Sequence, residues 1–229
     1  MKAVILAAGE GRRMRPLTAE VPKPMIKILG KPLLERFLEV LPSEIDEIIL
    51  VVGYKKEVIQ DYFSSEFKGR KIRYVLQDQQ LGVAHALFLC KDLVSDGERF
   101  LYGYCDDLHS KKAIEELIAY PLAALAMEHE DPTHFGVFEL DSDGNLVNIE
   151  EKPKAPKSNL VATGVYVLDS RIFGYDLLKD STHGEYLITD NISRMAKDFK
   201  FKVLKTDFWL PIAYPKDIER AEEAMRAGK

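Results

Sequence analysis

The sequence is poor in cysteine, with Cys90 and Cys105 the two in 229 residues. Their separation fits neither a C-x-x-C redox pair nor the ligand spacing of a zinc site. A disulfide framework and a zinc finger are therefore not indicated. We predict two buried thiols, and the reducing cytoplasm is the expected compartment.

Long apolar runs and basic residues are also in short supply. No stretch approaches the ~20 apolar residues of a membrane span, and Met1-Lys2 leads into the first predicted strand without the apolar core of a signal peptide. Lys and Arg number 32 against 37 Asp and Glu, which gives a net charge of −5. A nucleic-acid binder has a broad basic excess, so we expect neither nucleic acid nor membrane as a partner.

The composition is that of an ordinary globular protein, with 46% hydrophobic and 30% charged residues. A chain of 229 residues can bury one substantial core, and we predict a single domain over 1–229. Apolar strands and amphipathic helices alternate in the first half, which predicts a parallel α/β start. These segments are strands at 3–7, 47–52, 71–76 and 99–104 and helices at 33–41, 56–63, 83–90 and 111–120.

The second half has a different pattern. Segments 134–140 and 145–153 flank an Asp-Gly turn and are predicted to form a hairpin, which adds a partly antiparallel region to the sheet. Further strands are predicted at 122–127 and 201–204, and the amphipathic segment 215–227 is predicted to be the final helix.

A glycine-rich loop follows the first strand. Gly9-Glu10-Gly11 precedes Arg12, Arg13 and Arg15, and Lys23 stands between two prolines. Glycines let backbone N–H groups turn toward an anion, and nearby cationic side chains neutralise a polyphosphate. The loop lacks G-x-x-x-x-G-K-[ST] and the third glycine of G-x-G-x-x-G. We predict an anion-binding loop; the alternative is an ordinary strand-to-helix turn with solvated arginines.

Polar groups follow two later strands. Gln77 lies five residues before Gly82. An amide that donates and accepts at once suits the N3–H and O4 of uracil or thymine, and a glycine lets a base lie close to the backbone. His85 is interpreted as structural. Asp106, at the end of the fourth strand, is the expected Mg²⁺ ligand, and Asp107 is interpreted as a helix cap or turn residue.

Together these segments resemble the signature of the sugar-nucleotide pyrophosphorylases, in particular the glucose-1-phosphate thymidylyltransferase-like members. The family pattern L-A-x-G-x-G-T-R, P-x-T, K-P is matched at 6–13, 16–18 and 23–24, with Arg12 in place of the threonine. Glu150-Glu151-Lys152-Pro153, the segment 162–166 and the E-x-x-I-T-D segment 185–190 extend the likeness. In that last segment we expect Thr189 or Asp190 to cap a helix.

The resemblance implies a three-layer α/β fold with a mostly parallel, mixed sheet flanked by helices, as in GT-A-like nucleotide-diphospho-sugar transferases. Some family members carry a trailing β-helical domain, and we expect none here because no sequence remains to form it. It implies an enzyme that transfers a nucleoside monophosphate from an NTP to a sugar 1-phosphate with Mg²⁺. Gln77 favours UTP or dTTP. Two alternatives stay open: cytidylyl transfer to a phosphorylated alcohol, and a catalytically weak nucleotide-sugar sensor or regulatory subunit. The sugar and the oligomeric state, including a homo-oligomer, are left open.

The resemblance also assigns residues. It implies that Arg13 contacts the departing pyrophosphate, that Lys23 contacts the α-phosphate side and that Asp106 holds the metal. The implied nucleotide contacts are Leu6, Ala8, Gly9, Gly11, Gln77 and Gly82. The implied sugar-phosphate contacts are Gly136, Glu151, Lys152, Thr163 and Gly164.

Two positions depart from the family pattern. Cys105 replaces the glycine of its Gly-Asp motif. Pro211 stands where W-x-D-x-G would place the aspartate that is the second metal ligand, and proline cannot bind a cation. Asp207 and Asp217 are the nearby candidates to replace it.

Overall fold

The structure is a computed structural model that describes residues 1–182 and 184–228; His183 and Lys229 lie outside the described residues. The strands are β1 Lys2–Ala7, β2 Lys27–Ile28, β3 Lys31–Pro32, β4 Glu47–Val52, β5 Glu66–Phe67, β6 Arg70–Leu76, β7 Arg99–Tyr104, β8 Asp107–His109, β9 Ala123–Glu128, β10 Gly136–Leu140, β11 Leu146–Glu151, β12 Leu160–Asp169, β13 Lys202–Lys205 and β14 Trp209–Pro211. The α-helices are α1 Leu17–Glu20, α2 Leu33–Glu39, α3 Lys56–Phe63, α4 Val83–Phe88, α5 Lys111–Leu117, α6 Ile188–Asp198 and α7 Lys216–Arg226.

The first half of the chain forms the parallel part of the sheet. β1 pairs in parallel with β4 on one side and β7 on the other, and β4 pairs in parallel with β6. Ala3, Val4 and Ile5 of β1 are fully buried, because helices cover both faces of a parallel sheet. The carboxyl ends of these strands therefore meet at one edge, where open α/β sheets bind ligands.

The second half makes the sheet mixed. β12 runs antiparallel to β7, β9 and β10, and β10 forms the predicted hairpin with β11. β13 returns parallel to β9. The order across the sheet is β11-β10-β12-β7-β1-β4-β6-β5, with β9 paired to β12 and β13. The predicted fold class, a mixed sheet with a parallel core between helices, is confirmed.

Two apolar clusters cover the two faces of the sheet. One contains Leu87 of α4 and Ile192 of α6, together with residues such as Val4 and Tyr102 that project from one face. The other contains Phe37 of α2, with Ile59 and Ile114 from α3 and α5. The three layers of the predicted fold therefore have a core on each side of the sheet. Among the described residues, no helix is long and apolar enough to cross a bilayer.

Several elements differ from the sequence prediction. The helix α5 begins after Ser110, whose Oγ accepts from the N–H of Ala113 (3.4 Å), so Ser110 and not Asp107 is its N-cap. Helix α6 begins after Leu187 without a side-chain cap, so the prediction that Thr189 or Asp190 caps it is wrong. Both residues lie in its first turn.

Candidate active site

A cavity of about 530 Å³ opens at the carboxyl edge of β1 and β7. The glycine-rich loop after β1 contributes to its lining, and so do Glu151 and Lys152, at the end of β11. The predicted site residues in its lining are Leu6, Ala8, Gly9, Gly11, Arg13, Lys23, Gln77, Gly82, Asp106, Glu151 and Lys152. Thr163, Gly136 and Gly164 are not in that lining. Residues separated by more than 100 positions in sequence thus share one cleft.

The two glycines of the loop have different structural roles. Gly11 has φ +61°, and a Cβ there would lie 2.8 Å from Cβ of Lys23 and 3.1 Å from Cγ2 of Thr18. Thr18 also fixes the turn, because its Oγ1 donates to the carbonyl of Gly11 (3.0 Å). A Cβ on Gly9 would meet no atom within 4 Å, so the backbone at Gly9 is open to the cavity. Gly11 therefore allows the loop to close onto Lys23, and Gly9 leaves room for a ligand.

Lys23 and Asp106 form a short ion pair inside this cavity, with Nζ 2.5 Å from Oδ2. Burial disfavours the ammonium ion of Lys23, but Asp106 and Asp107 outweigh it, and the pKa of Lys23 is raised. Burial likewise opposes ionisation of Asp106, but the charge and hydrogen bond of Lys23 lower its pKa. Both partners are therefore charged near neutral pH, in a site where low solvent exposure strengthens their field.

Arg13 lies on the exposed side of the same loop. Its guanidinium carbon is 5.7 Å from the ring centroid of Tyr214, within the range of a cation–π contact. In the described part of the chain no carboxylate forms an ion pair with Arg13, so its charge faces the cleft without an anionic partner. Arg12 differs, because its Nε lies 2.6 Å from Oε2 of Glu10 and its side chain is 77% exposed.

The donor set for a divalent cation is small. Among residues 1–182 and 184–228, no three or more His, Cys, Asp or Glu side chains cluster closely enough to hold a metal ion. Asp106 brings one carboxylate into the cavity, with Oδ2 already accepting from Lys23. One or two carboxylates are enough for Mg²⁺ when substrate phosphates and water supply the other ligands. The residues present fit a metal that is bound together with its nucleotide.

Neither proposed substitute for the missing aspartate reaches the cavity. The carboxylate of Asp217 accepts from the backbone N–H groups of Ala213 (2.9 Å) and Tyr214 (2.8 Å), and so stabilises the start of α7. Asp207 is exposed and lies outside the lining.

Asp107 occupies the position opposite Pro211. Strands β8 and β14 form a two-stranded ribbon in which these two residues are paired. The carboxylate of Asp107 accepts from Nε1 of Trp209 (3.0 Å) and from the N–H of Ile212 (3.0 Å). Burial, and then the charge of Asp106, raise the pKa of Asp107 to about 7. The interpretation of Asp107 as a helix cap is therefore wrong. Its hydrogen bonds hold the segment of Trp209 and Ile212 next to Asp106.

Gln77 lies at the end of β6 and is 5% exposed. Its Nε2 donates to the carbonyl of Gly82 (3.2 Å) and lies 3.3 Å from Nδ1 of His85. This differs from the expectation that the amide offers a donor and an acceptor together, because its nitrogen is engaged by the protein. It also gives His85 a contact that the sequence did not predict.

Gly82 is required by protein packing. Its φ is +113°, and a Cβ there would lie 2.6 Å from the carbonyl oxygen of Tyr186. The backbone of Tyr186 forms hydrogen bonds with residues before and after this glycine. Its N–H donates to the carbonyl of Leu81 (2.9 Å), and its carbonyl accepts from the N–H of Ala84 (3.0 Å). Two backbone hydrogen bonds thus join the segment before α6 to the loop before α4. The expected close approach of a base is not needed to explain the glycine.

The acceptor side of the cavity is built on the hairpin. Gly136 and Glu151 are directly paired across β10 and β11. A Cβ on Gly136 would lie 3.3 Å from Cγ2 of Thr189 and 3.4 Å from Oε2 of Glu151, so Gly136 borders the cavity wall without lining it. Lys152 follows with φ +45°, an unusual conformation for a lysine, and its Nζ lies 3.4 Å from Oε1 of Glu151.

Thr189 is a functional candidate that the sequence prediction missed. Its side chain lines the cavity, is 5% exposed, and has no hydrogen-bond partner for Oγ1 among the described residues. A buried hydroxyl without a partner costs free energy, which singles out Thr189 as a position to test. The signal in the sequence was the E-x-x-I-T-D likeness, which we assigned to helix capping.

Thr163 and Gly164 lie at an irregularity in β12 rather than at the cavity surface. Thr163 is 1% exposed, and its hydroxyl donates to the carbonyl of Leu125 (3.2 Å). Gly164 has φ +84°, and a Cβ there would lie 2.3 Å from the ring of Tyr104. Tyr104 itself lines the cavity. Gly164 therefore contributes by making room for that ring, and Thr163 holds β12 to β9.

Comparison with known proteins identifies the family of the chain. The family model for nucleotidyl transferases matches residues 2–228. The chain is 39% identical over 227 residues to the bifunctional protein GlmU of Methanocaldococcus jannaschii, covering 98% of this chain and 54% of that protein. The chain therefore spans about half the length of such relatives. It is 32% identical to the UTP–glucose-1-phosphate uridylyltransferase AglF of Haloferax volcanii, covering 99% of this chain and 97% of that one.

Solved structures give the same result. A putative glucose-1-phosphate thymidylyltransferase from Bacillus anthracis, crystallised with a sucrose, superposes with a TM-score of 0.87 at 29% identity, covering 99% of this chain and 95% of that one. A UDP-glucose pyrophosphorylase bound to UDP-glucose superposes with a TM-score of 0.82 at 24% identity, covering 100% and 99%, and supports the fold. The match over nearly the whole sequence shows that this chain belongs to the nucleotidyl transferase family.

Proposed function

We propose that this protein is a sugar-1-phosphate nucleotidyltransferase. It transfers a nucleoside monophosphate from an NTP, UTP or dTTP, to a sugar 1-phosphate and releases pyrophosphate. The observation that carries the proposal is the convergence of a cationic glycine loop, a carboxylate and a second cationic wall on one cleft. Arg13 and Lys23 are the cations of the loop, Asp106 supplies the carboxylate, and Lys152 is the cation of the second wall.

The charges of the reactants explain why cations dominate the site. A sugar phosphate is largely dianionic at neutral pH because its second pKa is about 6, so its attack on the α-phosphorus needs no general base. The protein has to align the two phosphates and neutralise the charge that moves to the leaving group. Lys152 is suited to hold the incoming phosphate, Lys23 the α-phosphate and Arg13 the departing pyrophosphate. The displacement is in line, with the leaving oxygen opposite the attacking one.

Members of this family generally use a divalent metal ion, and we propose Mg²⁺, held by Asp106. The ion would supply electrostatic stabilisation of phosphate oxygens. The Lys23 ammonium lowers the pKa of Asp106 against the effect of burial, which favours the ionised form that a metal ligand requires. Bringing a nucleotide into the site gives Lys23 a second anion to contact.

The identity of the two substrates rests on two regions of the cavity. Gln77 lines the part expected to hold the base, and the activities for which the relatives are named, uridylyl and thymidylyl transfer, favour UTP and dTTP. Glu151, with Thr189 close by, suits the hydroxyl groups of a sugar, and glucose 1-phosphate is the first acceptor to test. The two unpaired, buried thiols suit a reducing compartment, and we place the reaction in the cytoplasm.

A pyrophosphate-release screen tests this function. UTP, dTTP, CTP, GTP and ATP are each combined with a panel of sugar 1-phosphates and alcohol phosphates in the presence of Mg²⁺. We expect release with UTP or dTTP and a sugar 1-phosphate, and loss of release in Lys152→Met at unchanged Tm. Release confined to CTP with an alcohol phosphate would identify a cytidylyltransferase. Stabilisation by nucleotide-sugars without turnover would identify a sensor.

A further inference from the structure

The orientation of the Gln77 amide is dictated by the protein around it. Its Nε2 faces the carbonyl oxygen of Gly82 at 3.2 Å. A carbonyl can only accept a hydrogen bond, so the nitrogen, and not Oε1, must occupy this side. The opposite orientation would place two acceptors against each other inside a side chain that is 5% exposed, where an unsatisfied polar contact is costly.

The second N–H of the amide is also accounted for. Nε2 lies 3.3 Å from Nδ1 of His85, within hydrogen-bonding distance. Since the amide nitrogen can only donate, Nδ1 must be the accepting nitrogen, and the neutral His85 ring carries its proton on Nε2. Gly82 and His85 together therefore use both N–H groups. The remaining polar atom of Gln77, Oε1, is an acceptor.

The backbone next to His85 is fixed by the same contact with Tyr186 that encloses Gly82. His85 is half-buried in α4, one residue after Ala84, whose N–H donates to the carbonyl of Tyr186 (3.0 Å). The His85 and Tyr186 rings are 6.5 Å apart and tilted by 31°. The start of α4 is thus anchored beside His85, and Nδ1 lies within hydrogen-bonding distance of the Gln77 amide.

We infer that His85 is a specificity-determining residue that acts through Gln77. By engaging the amide nitrogen, it makes the base site present an acceptor and withhold a donor. A base with an N–H at N3, uracil or thymine, is complementary to Oε1. Cytosine is not, because its N3 is itself an acceptor and would face Oε1 directly. The inference rests on the proposed function for the identity of the site, and it adds a residue and a mechanism for choosing the nucleotide.

Two substitutions at this position separate the role of the nitrogen from that of packing. In His85→Asn an amide oxygen can stand near the place of Nδ1 and accept from Gln77. In His85→Leu the side chain has similar bulk and no acceptor, so one N–H of Gln77 loses its partner and can turn toward the base. Thermal unfolding establishes that both variants are folded.

The measurement is kcat/KM for UTP and for CTP with the same sugar 1-phosphate. We expect His85→Leu to lower the UTP-to-CTP ratio about fivefold, the effect of one hydrogen bond of about 1 kcal/mol, and His85→Asn to retain most of the ratio. A further substrate, N3-methyl-UTP, lacks only the N–H, and wild-type protein should discriminate against it as it does against CTP. A ratio unchanged in His85→Leu, or unimpaired turnover of N3-methyl-UTP, would overturn the role of His85.

Binding provides a separate readout. Nucleotide-dependent shifts in Tm compare UTP with CTP without requiring turnover. If the wild-type protein releases no pyrophosphate with any pair but still prefers UTP, and His85→Leu loses that preference, the role of His85 stands and the proposed reaction falls. If wild-type protein turns over normally and His85→Leu keeps its preference, the reaction stands and this inference falls. Failure to bind either nucleotide overturns both.

Discussion

At the scale of single residues, the Lys23–Asp106 pair concentrates the charge of the cavity. Lys23 is 8% exposed, and its ammonium has Asp106 as an ion-pair partner. Removing one member of a buried pair leaves an uncompensated charge, whereas replacing both with apolar groups removes that cost. We therefore expect the pair to contribute to stability as well as to the proposed reaction, and the two contributions can be separated experimentally.

We predict that Asp106→Ala lowers kcat by about 100-fold or more, the scale of one preorganised electrostatic contact. It should also destabilise the fold by about 2 kcal/mol. This is less than the roughly 3–5 kcal/mol of a fully buried pair, because the Asp106 side chain is 36% exposed. Pyrophosphate release and urea denaturation measure the two effects. The double variant Lys23→Met/Asp106→Leu should regain stability and remain inactive; if it regains activity, the pair has no role in the reaction.

For Arg13 we predict a loss of activity without a loss of stability. Because its charge has no ion-pair partner in the described part of the chain, Arg13→Ala should leave Tm within about 2 °C of wild type, as for an exposed substitution. It should lower kcat by about 100-fold, since a cation facing the leaving pyrophosphate is lost.

The matched control for Arg13 is Arg12→Ala, in the same turn. The Arg12 side chain is 77% exposed and already paired with Glu10, so its removal should change kcat by less than about threefold. Equal losses in the two variants would mean that the loop acts through its general charge and not through Arg13.

At the scale of elements, the ribbon of β8 and β14 shows how a distant side chain can fix a loop. Asp107 binds Trp209 and Ile212, which are 102 and 105 residues away in sequence. Its two oxygens satisfy an indole and a backbone N–H that would otherwise be buried without partners. This ribbon places Ala213 in the cavity lining, next to Tyr214 and its contact with Arg13.

We predict that Asp107→Ala destabilises the protein by about 2–6 kcal/mol, because it leaves two donors unsatisfied at about 1–3 kcal/mol each. Urea denaturation measures the change, and Trp209 fluorescence reports on the ribbon itself. Asp207→Ala is the control: this aspartate is exposed and precedes the same strand, so its loss should change the free energy of unfolding by less than about 0.5 kcal/mol. Similar effects of both would contradict the role given to Asp107.

The elements that sequence alone predicted are those defined by local patterns. β4 and β7 match their predicted bounds, because continuous apolar runs are typical of strands buried on both faces. The hairpin follows from its Asp-Gly turn. What escaped prediction depends on contacts between distant segments: the partners of Asp107, the unpaired hydroxyl of Thr189 and the backbone of Tyr186 against Gly82. No local pattern reports which groups meet across a fold.

The candidate site was predicted to a similar extent. The loop residues and Asp106 converge on one cleft, in agreement with the expectation that strand ends meet at one edge. Their catalytic roles stay predictions. The position of Thr163 could not be predicted, because the pairing of β12 with β9 shifts register between Ala162 and Tyr166, and such irregularities leave little trace in sequence.

At the scale of the whole molecule, burial of ionisable groups links folding to pH. His109 is 7% exposed, and among the described residues neither of its ring nitrogens has a hydrogen-bond partner. Burial lowers the pKa of His109 from 6.5 to about 4. Between these pH values the unfolded chain binds a proton at this position and the folded protein does not, so stability is lost as the pH falls.

We predict that the free energy of unfolding of the wild-type protein falls by about 2 kcal/mol between pH 7 and pH 5 because of this histidine. The figure is the product of about 1.5 pH units below the pKa of the unfolded chain and about 1.4 kcal/mol per unit. In His109→Phe this contribution should vanish, while the edge-to-face contact with Phe37, at 5.4 Å between ring centroids, is kept. Urea denaturation at pH 7, 6 and 5 measures the difference between the two slopes. Parallel slopes would show that His109 is protonated in the folded protein.

The packing of the Tyr186 backbone against Gly82 has a consequence for the redesign of this enzyme. Since a methyl group at Gly82 would collide with the main chain of Tyr186, these two segments cannot be exchanged independently between related enzymes. A chimera that imports a foreign loop for another nucleotide has to import the matching stretch ahead of α6 as well. That stretch leads directly into Thr189, so a transplant intended to change one substrate carries part of the pocket for the other with it.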